Sequence, residues 1–478
     1  MAAHLVVIGA GPGGYQAAIR AAQLGARVTV VEKDRLGGTC LNWGCIPTKA
    51  LKAVADCFTT CRTAGELGVE LAAPPRLNWP VALARKDQVV ETQVGGIARL
   101  FQAHGVELVT GEASLAGPHE IRVRQETGEV TLTADQIILA TGSRPAELAA
   151  LPRDGRNILN SDDILSLPEL PASLAVVGGG VVGAEFAAIL AALGCRVTVI
   201  EALDRVLPLP SLDPEISRLL TREMKKQGIT LKTSRLVTAC EPHPEGLELV
   251  LEPTPQEGKP ATGRPESLVV AKVLVAVGRA LNSQGLNLER AGLTAGPGGA
   301  VTVDRTLRTA QPHILAVGDL LGPSRPLLAH VAGLEGRAAA ANALGAHQEP
   351  SYDLVPATVF THPEVAWVGL SPAQAQAQGL AASRHTVQLR ILGAAQARGE
   401  LAGQITLISE TNTGRLLGAH LAGLHATEMV HTAALALAQN ATVADLAHLI
   451  LAHPTFSEAL GEAAETALGL ALHAPPVR

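Results

Sequence analysis

The pattern of apolar and polar positions repeats in two distant parts of the chain. Residues 5–32 read LVVIGAGPGGYQAAIRAAQLGARVTVVE, which is an apolar run, a glycine-rich turn, an alanine-rich stretch and a second apolar run. Residues 174–201 read LAVVGGGVVGAEFAAILAALGCRVTVIE and show the same succession. Short apolar runs bounded by glycine indicate buried strands, and the longer alanine-rich stretch indicates a helix. Each segment therefore predicts a strand–helix–strand unit.

Glycines occupy the turn of each unit at the spacing Gly-x-Gly-x-x-Gly, and a glutamate ends its second strand. The first glycine permits a tight turn, the second lets a pyrophosphate approach the backbone, and the third lets the helix pack on the strand. The helix N-terminus offers N–H groups to phosphates, and the glutamate accepts hydrogen bonds from ribose hydroxyls. Glycines that serve packing alone are the alternative, which the repetition of the whole pattern disfavours. We therefore predict two dinucleotide sites, one at Gly9, Gly11, Gly14 and Glu32 and the other at Gly178, Gly180, Gly183 and Glu201.

The second site also indicates which nucleotide it prefers. Glu201 would repel a 2′-phosphate, and the following Ala202 and Leu203 supply no cation. We therefore expect NAD rather than NADP. Arg205, a cation of the kind that accommodates a 2′-phosphate, is close by in the sequence.

Three further apolar strands end on a small residue and glycine, in ILATGSRP, LVAVGRALN and ILAVGDL. Such ends occur where a cofactor or a neighbouring domain approaches the backbone. Asp319 lies at the last of them, where a carboxylate could hold a polyol or a ribose; a turn or helix-cap aspartate is the alternative. The candidate cofactor-binding residues at these ends are Thr141, Gly142, Gly278 and Asp319.

Two cysteines, Cys40 and Cys45, lie in the glycine-rich segment GGTCLNWGCIPTKAL. A disulfide needs Cα atoms within about 7 Å, so the chain must bend between them, which Asn42 and Gly44 permit. Pro47 fits the first turn of a helix, which places Cys45 at a helix N-terminus that stabilises a thiolate. A metal site would need further cysteine or histidine ligands at metal-binding spacing, and we find none in the sequence. An activated redox dithiol is favoured over a structural disulfide.

Composition narrows the class of protein. The chain has 478 residues, of which 47% are hydrophobic and 17% charged, with a net charge of −6 and no long charge run. Nucleic-acid binding is therefore not indicated, and no apolar run is long enough to span a membrane. Six irregularly spaced cysteines do not form a secreted disulfide framework, and the first strand begins almost directly after Met1. We expect a cytoplasmic enzyme without a metal centre.

The length is too great for a single hydrophobic core and predicts several domains. We expect a first nucleotide-binding domain at 1–150, a second at 151–275, a central domain at 276–347 and a separate α+β domain at 348–478. The polar, Pro- and Gly-rich stretch 252–267 predicts an exposed loop between strands.

Taken together, these motifs, VFTHPEVAWVG and HPTFSEAL resemble the flavoprotein disulfide reductases, most closely the members that oxidise dihydrolipoamide. The resemblance covers essentially the whole chain. It implies an α/β fold with two Rossmann-like dinucleotide-binding domains and a C-terminal α+β dimerisation domain. By the same resemblance the first site holds FAD, the second binds NAD, and Asp319 binds the ribityl chain. Backbone N–H groups at Ala329 and His330 would reach the flavin.

The resemblance also assigns roles to the candidate catalytic residues. Cys45 would be the thiolate that faces the flavin, and Cys40 the sulfur that exchanges with substrate. Lys49 would pair with Glu185 beside the flavin; a solvated surface lysine is the alternative.

His453 and Glu458 resemble the acid–base histidine of the family and the carboxylate that orients it. In the family this pair comes from the other subunit, so the resemblance implies a homodimer with a shared active site. Departures from the family pattern occur at Leu451, Trp43 and Phe456.

The expected function is oxidation of protein-bound dihydrolipoamide with reduction of NAD. The partners would be lipoyl-domain proteins of a 2-oxoacid dehydrogenase or glycine cleavage complex. Alternatives are a reductase of another disulfide, an NADH oxidase or transhydrogenase, and an inactive FAD-binding scaffold. We expect the remaining cysteines to be buried apolar residues, namely Cys57, Cys61, Cys195 and Cys240.

Overall fold

Strands and helices follow the apolar pattern along the chain. The computed structural model describes residues 2–255 and 263–473. Up to residue 146 the elements are β1 (His4–Ile8), α1 (Pro12–Gln23), β2 (Arg27–Glu32), α2 (Gly38–Asn42), α3 (Cys45–Thr63), α4 (Trp79–His104), β3 (Glu107–Thr110), β4 (Glu112–Leu115), β5 (Glu120–Gln125), β6 (Gly128–Thr133), β7 (Gln136–Leu139) and β8 (Ser143–Pro145). Up to residue 277 they are β9 (Ile158–Leu159), β10 (Ser173–Val177), α5 (Val181–Ala192), β11 (Arg196–Glu201), α6 (Pro214–Lys226), β12 (Thr230–Thr233), β13 (Arg235–His243), β14 (Gly246–Pro253), β15 (Glu266–Val270) and β16 (Lys272–Val275). The remaining elements are β17 (Arg279–Leu281), β18 (Ile314–Ala316), α7 (Ala329–Ala343), β19 (Ala357–Val359), β20 (Val365–Gly369), α8 (Pro372–Ala377), β21 (Ala382–Gln388), α9 (Gly393–Arg398), β22 (Gln404–Glu410), β23 (Leu416–Ala422), α10 (Ala426–Ala438), α11 (Val443–Ala447) and α12 (Glu458–Leu468).

These elements form two units, each assembled from separated stretches of sequence. Unit 1 consists of residues 1–51, 78–146 and 278–352, and unit 2 consists of residues 52–77, 147–277 and 353–478. The four domain boundaries expected from the sequence stay a prediction. Across the described residues, every helix is too short or too polar to traverse a lipid bilayer.

Unit 1 is built on a parallel sheet with the strand order β18-β7-β1-β2-β3. Val6 and Val7 of its central strand are fully buried, as expected for parallel strands covered on both faces. Helix α1 packs closely on α7, since a Cβ added to Gly336 would lie 2.1 Å from the carbonyl oxygen of Gly13. Two smaller antiparallel sheets, β4-β5-β6 and β8-β17, complete the unit.

The first part of unit 2 repeats this design. A parallel sheet with the order β12-β11-β10-β16-β9 is accompanied by the antiparallel sheet β13-β14-β15. The loop predicted at 252–267 joins β14 to β15, and its residues 256–262 lie outside the described part of the chain. The second predicted strand–helix–strand unit is confirmed as β10, α5 and β11.

The C-terminal part of unit 2 is the α+β region expected from the change in sequence pattern. Its antiparallel sheet has the order β19-β20-β23-β22-β21, and helices α10 and α12 cover one face. A buried polar cluster joins it to the N-terminus of α6. Arg384 Nε donates to Asp213 at 2.8 Å, and the Asp213 N–H donates to Nδ1 of the fully buried His420 at 3.3 Å.

Candidate active site

The two glycine-rich turns have nearly the same geometry. Gly9 has φ +100° and Gly178 has φ +109°, a region that favours glycine. A Cβ on Gly9 would lie 2.5 Å from the carbonyl oxygen of Ala140, and one on Gly178 would lie 2.4 Å from that of Ala276. Both first glycines are therefore required by backbone conformation and by close approach to the neighbouring strand end.

The third glycine of each turn allows the helix to pack on the turn. A Cβ on Gly14 would lie 1.9 Å from the carbonyl oxygen of Gly9, and a Cβ on Gly183 would lie 1.9 Å from that of Gly178. Separations this short can be relieved only by moving the backbone. These two glycines are structural requirements of the turn itself.

The second glycine of each turn has no such structural requirement. Gly11 and Gly180 have extended backbones, with φ −68° and −70°, that any residue can adopt. A Cβ on Gly180 would contact nothing within 4 Å, and one on Gly11 would meet only the Cα of Gly38 at 4.0 Å. The backbone thus faces open space at the N-termini of α1 and α5, which is the room that a pyrophosphate needs. The residues at both turns fit a dinucleotide.

The glutamates that end β2 and β11 also bind their own turns. Glu32 accepts hydrogen bonds from the N–H of Ala10 at 2.7 Å and of Asp34 at 2.9 Å. Glu201 accepts hydrogen bonds from Gly179 at 2.6 Å and Leu203 at 2.8 Å. Burial raises the pKa of Glu32, although these N–H bonds act against it. Each carboxylate is held at the edge of its turn and retains lone pairs for a ribose.

Asp319 lies in a short 3-10 helix, Gly318–Leu321, just after β18. Ser143 donates to its Oδ2, and Arg279 donates to the Ser143 hydroxyl at 2.6 Å. Arg279 Nε is also 3.6 Å from the same carboxylate oxygen. The carboxylate is therefore held in a defined orientation. Sequence reasoning missed Ser143 and Arg279, although each directly follows a glycine, Gly142 and Gly278, that it had singled out.

Two other predicted segments lie in unit 1. The Thr141 hydroxyl donates to the carbonyl oxygen of Asn282 at 2.8 Å, and the Asn282 side-chain amide donates to the carbonyl oxygen of Thr141 at 3.0 Å. These two bonds join the ends of β7 and β17. Ala329 and His330 are the first two residues of α7, so their backbone N–H groups lie at the positive end of the helix dipole.

The Cys40–Cys45 segment folds as the sequence predicted. Cys40 lies in α2 and Cys45 is the first residue of α3, with the bend between them. A Cβ on Gly44 would lie 3.0 Å from the Thr39 carbonyl oxygen and 3.4 Å from the Cys40 Cα, so glycine allows the chain to fold back closely. The Asn42 amide donates to the carbonyl oxygen of Leu36 at 2.9 Å, which stabilises the bend.

The two thiols interact directly. A hydrogen bond with Cys45, together with burial, raises the pKa of Cys40 far above its usual value, and the charge of Lys49 acts in the opposite direction. The raised pKa favours the protonated form of Cys40, while Cys45 lies at the first residue of α3. That arrangement suits a thiolate at a helix N-terminus.

Lys49 lies one turn into α3, as the spacing predicted. Glu185 is buried in α5 of unit 2, where its Oε1 accepts the Phe360 N–H at 2.9 Å. The pairing of Lys49 with Glu185 stays a prediction.

His453 and Glu458 lie together at the start of α12. His453 Nδ1 is 2.8 Å from Glu458 Oε1, while Glu458 Oε2 accepts the Thr455 N–H at 2.8 Å. Burial alone would raise the pKa of Glu458, but the bonds from Thr455 and His453 outweigh it and the pKa is lowered. The ionised carboxylate holds the proton on Nδ1, and the His453 side chain is 76% exposed. Nε2 is thus the nitrogen left to exchange a proton with a substrate.

The other cysteines only partly meet the expectation of burial. Cys195 is buried, as predicted, and burial raises its pKa to about 12. The prediction for Cys57 is wrong, because its side chain is exposed on α3; Cys61 and Cys240 are half-buried. Helical spacing alone does not indicate which face of α3 other residues cover.

Of the departures from the family pattern, Phe456 is buried in the C-terminal core.

Comparison with known proteins identifies the class. Residues 3–336 match the family profile of pyridine nucleotide-disulphide oxidoreductases, and residues 355–464 match the dimerisation domain of the same family. The chain belongs to the pyridine nucleotide-disulphide oxidoreductase family. Membership confirms the predicted resemblance, the fold class, the oxidoreductase class and the cofactor pair FAD and NAD. The dimerisation domain supports the predicted homodimer.

Individual relatives match over nearly their whole length. A dihydrolipoyl dehydrogenase of Thermus scotoductus is 40% identical, with 98% of both chains covered. One from Chlamydia trachomatis is 38% identical, with 99% of this chain and 98% of the relative covered. Among solved structures, LpdA from Mycobacterium tuberculosis superposes with a TM-score of 0.87 at 30% identity, covering 97% of this chain and 99% of its own.

Proposed function

We propose that this protein is a dihydrolipoyl dehydrogenase, which oxidises protein-bound dihydrolipoamide to lipoamide and reduces NAD. The observation that carries the proposal is the Cys40–Cys45 pair, held within hydrogen-bonding reach across the bend between α2 and α3. Its relatives of the same name align over almost the full length of the chain, which supports the same assignment.

The chemistry begins with the oxidised pair. A substrate thiolate attacks Sγ of Cys40, the Cys40–Cys45 bond breaks, and Cys45 leaves as a thiolate. The second substrate thiol then attacks the substrate sulfur bound to Cys40 and closes the cyclic disulfide, which releases Cys40. Two electrons have then passed from the substrate to the cysteine pair. The proton of the second substrate thiol goes to Cys40, which becomes a thiol, and Cys45 remains a thiolate. The proton of the first substrate thiol goes to a base.

His453 is proposed as that base. Glu458 holds the Nδ1 proton, so Nε2 can take a proton from a substrate thiol and later release it to solvent. A positioned base of this kind contributes roughly 10²- to 10⁴-fold to the rate. We place this pair opposite the dithiol of the other subunit of a homodimer, so that a monomer is inactive.

The two glycine-rich turns would hold the cofactors. Gly9, Gly11, Gly14 and Glu32 would hold FAD, which would supply a two-electron carrier between the dithiol and NAD. Asp319 and the first turn of α7 would orient it, with Thr141, Gly142 and Gly278 at the neighbouring strand ends, and in this proposal Lys49 and Glu185 would lie beside it.

The second turn holds NAD rather than NADP. The Glu201 carboxylate is fixed at the rim of the turn by two backbone N–H bonds, where it would repel a 2′-phosphate. Arg205 is 2.9 Å from Asp204, and this ion pair offsets its charge.

The proposed partners are lipoyl-domain proteins of a 2-oxoacid dehydrogenase or glycine cleavage complex, in the cytoplasm. The active form is a homodimer. No nucleic acid or membrane is involved.

The test is an anaerobic titration of the purified holoenzyme with dihydrolipoamide, followed by NAD, with the flavin spectrum recorded. We expect a long-wavelength charge-transfer band that disappears as NADH forms. If NADH reduces the flavin but dihydrolipoamide does not, the substrate is a different disulfide and the proposal fails.

Two cysteine variants sharpen the result. C45S should abolish both dihydrolipoamide turnover and the charge-transfer band. The control C57S, which removes an exposed thiol of the same helix, should retain both. Full turnover by C45S would contradict the proposed chemistry.

A further inference from the structure

A buried carboxylate within unit 1 joins two segments that the proposed function places at the flavin. Glu335 lies in α7 and is 1% exposed. Its Oε2 accepts a hydrogen bond from the Gly318 N–H at 2.7 Å. Gly318 has φ +72° and directly precedes Asp319. The bond therefore fixes the backbone conformation from which the Asp319 side chain projects.

The other carboxylate oxygen of Glu335 is held by two side chains. Tyr352 donates its hydroxyl to Oε1 at 2.7 Å, and Arg325 lies 3.3 Å from the same oxygen. Arg325 also donates to the Tyr352 hydroxyl at 2.7 Å and lies over its ring at 5.1 Å from the centroid. Burial raises the pKa of Glu335, and the bonds from Tyr352, Gly318 and Arg325 oppose that effect. A buried carboxylate needs such partners to remain charged.

Glu335 lies on the same helix as Ala329 and His330, the residues proposed to face the flavin. It lies six residues after Ala329, about 9 Å along the helix axis at 1.5 Å per residue. The same rigid helix therefore carries the exposed N-terminal turn, with Ala329 and His330, and the carboxylate that binds Gly318. Moving α7 relative to Gly318 would break this hydrogen bond and leave a buried polar group unsatisfied, which is unfavourable.

We propose that Glu335, held by Arg325 and Tyr352, is a positioning residue for the flavin. It sets the geometry of Asp319 against the N-terminus of α7 before FAD binds. The inference rests on the proposed function, in which both segments hold FAD. Such preorganisation increases affinity because less ordering is left to binding.

The test uses E335Q and Y352F. Glutamine keeps the size of the side chain and can accept the Gly318 N–H, but it lacks the charge that pairs with Arg325. We expect the dissociation constant of FAD, measured by quenching of flavin fluorescence on titration into deflavinated protein, to rise about tenfold in E335Q. A tenfold loss corresponds to about 1.4 kcal/mol. For Y352F, which removes one donor, we expect a rise of about threefold.

A second measurement separates positioning from general stability. Melting temperatures are compared with and without saturating FAD, because only an effect on binding reduces the stabilisation that FAD confers. The matched control is E364Q, which alters a carboxylate of unit 2 that accepts two bonds from Thr427. It should lower the melting temperature without changing FAD affinity.

The outcomes are distinct. Unchanged FAD affinity in E335Q and Y352F, with equal losses of stability in the apo and FAD-bound forms, would overturn the inference. Because the titration involves no disulfide substrate, it is unaffected if dihydrolipoamide is not the substrate. If E335Q does not fold, Y352F alone decides.

Discussion

Two alanine substitutions in the second glycine-rich turn should separate folding from nucleotide binding. Gly183 and Gly180 lie three residues apart at the start of α5, but an added methyl group meets very different surroundings. G183A would place its Cβ 1.9 Å from the carbonyl oxygen of Gly178 and 3.1 Å from Val176. G180A would place it in open space, on a backbone with φ −70° that alanine adopts readily.

The expected magnitudes follow from these contacts. An ordinary contact to a Cβ is at least about 3.4 Å, so G183A forces α5 or the turn to move by more than 1 Å. Overpacking of this kind costs about 1–3 kcal/mol, and we expect the upper end because the opposing atom is backbone. G180A should change the free energy of unfolding by less than about 0.5 kcal/mol. Its methyl group occupies the room left for a pyrophosphate, so the NAD dissociation constant should rise at least about tenfold.

The assay combines urea unfolding of the holoenzyme, followed by circular dichroism, with NAD titration by quenching of protein fluorescence. G11A, the counterpart in the first turn, serves as the control and should weaken FAD binding while leaving NAD affinity unchanged. NAD binding by G180A at wild-type affinity would refute the assignment of this turn to NAD. Wild-type stability of G183A would refute the packing argument.

The remaining predictions concern other parts of unit 2 and the thiols. H453Q should lose roughly 10²- to 10⁴-fold in dihydrolipoamide turnover while NADH still reduces the flavin, and E458Q should lose less; equal losses in both reactions would argue against a base. Burial lowers the pKa of His420 in the folded protein, and its Nδ1 accepts the N–H of Asp213. The unfolded chain therefore binds a proton at His420 more readily than the folded protein does, so protonation favours unfolding. Stability should therefore fall as the pH drops below about 6.5, by at most about 1.4 kcal/mol per pH unit, and H420N should remove this slope in urea unfolding. In the native enzyme a maleimide should modify Cys57 rapidly and Cys195 only after unfolding; the reverse order would contradict the burial of these side chains.

Local features were predictable because they depend on short stretches of chain. The alternation of apolar runs and glycines correctly predicted β1, α1 and β2, and again β10, α5 and β11. A bend and a helix start were likewise expected at Cys45 from the residues around it. Steric limits on glycine and proline and the apolar faces of short elements act within a few residues, so the sequence displays them directly.

Motif resemblance added what local physics could not. His453 is one of 15 histidines, and nothing in its immediate apolar pattern marks it as a base. Its pairing with Glu458 was nevertheless expected from the motif and is present at 2.8 Å. The role of the pair depends on a second subunit and stays a proposal.

Only the tertiary structure revealed contacts between residues far apart in sequence. Ser143 and Arg279 orient Asp319, and Glu335 binds Gly318. Asp319 was predicted from its place at a strand end, but Ser143, Arg279 and Glu335 were not singled out. The exposure of Cys57 also contradicted the sequence-based expectation. A sequence specifies which local elements form, since their hydrogen bonds and steric limits are short-range. Which side chains meet, and which faces stay exposed, depends on how those elements pack, and that is decided only when distant strands and helices share a core.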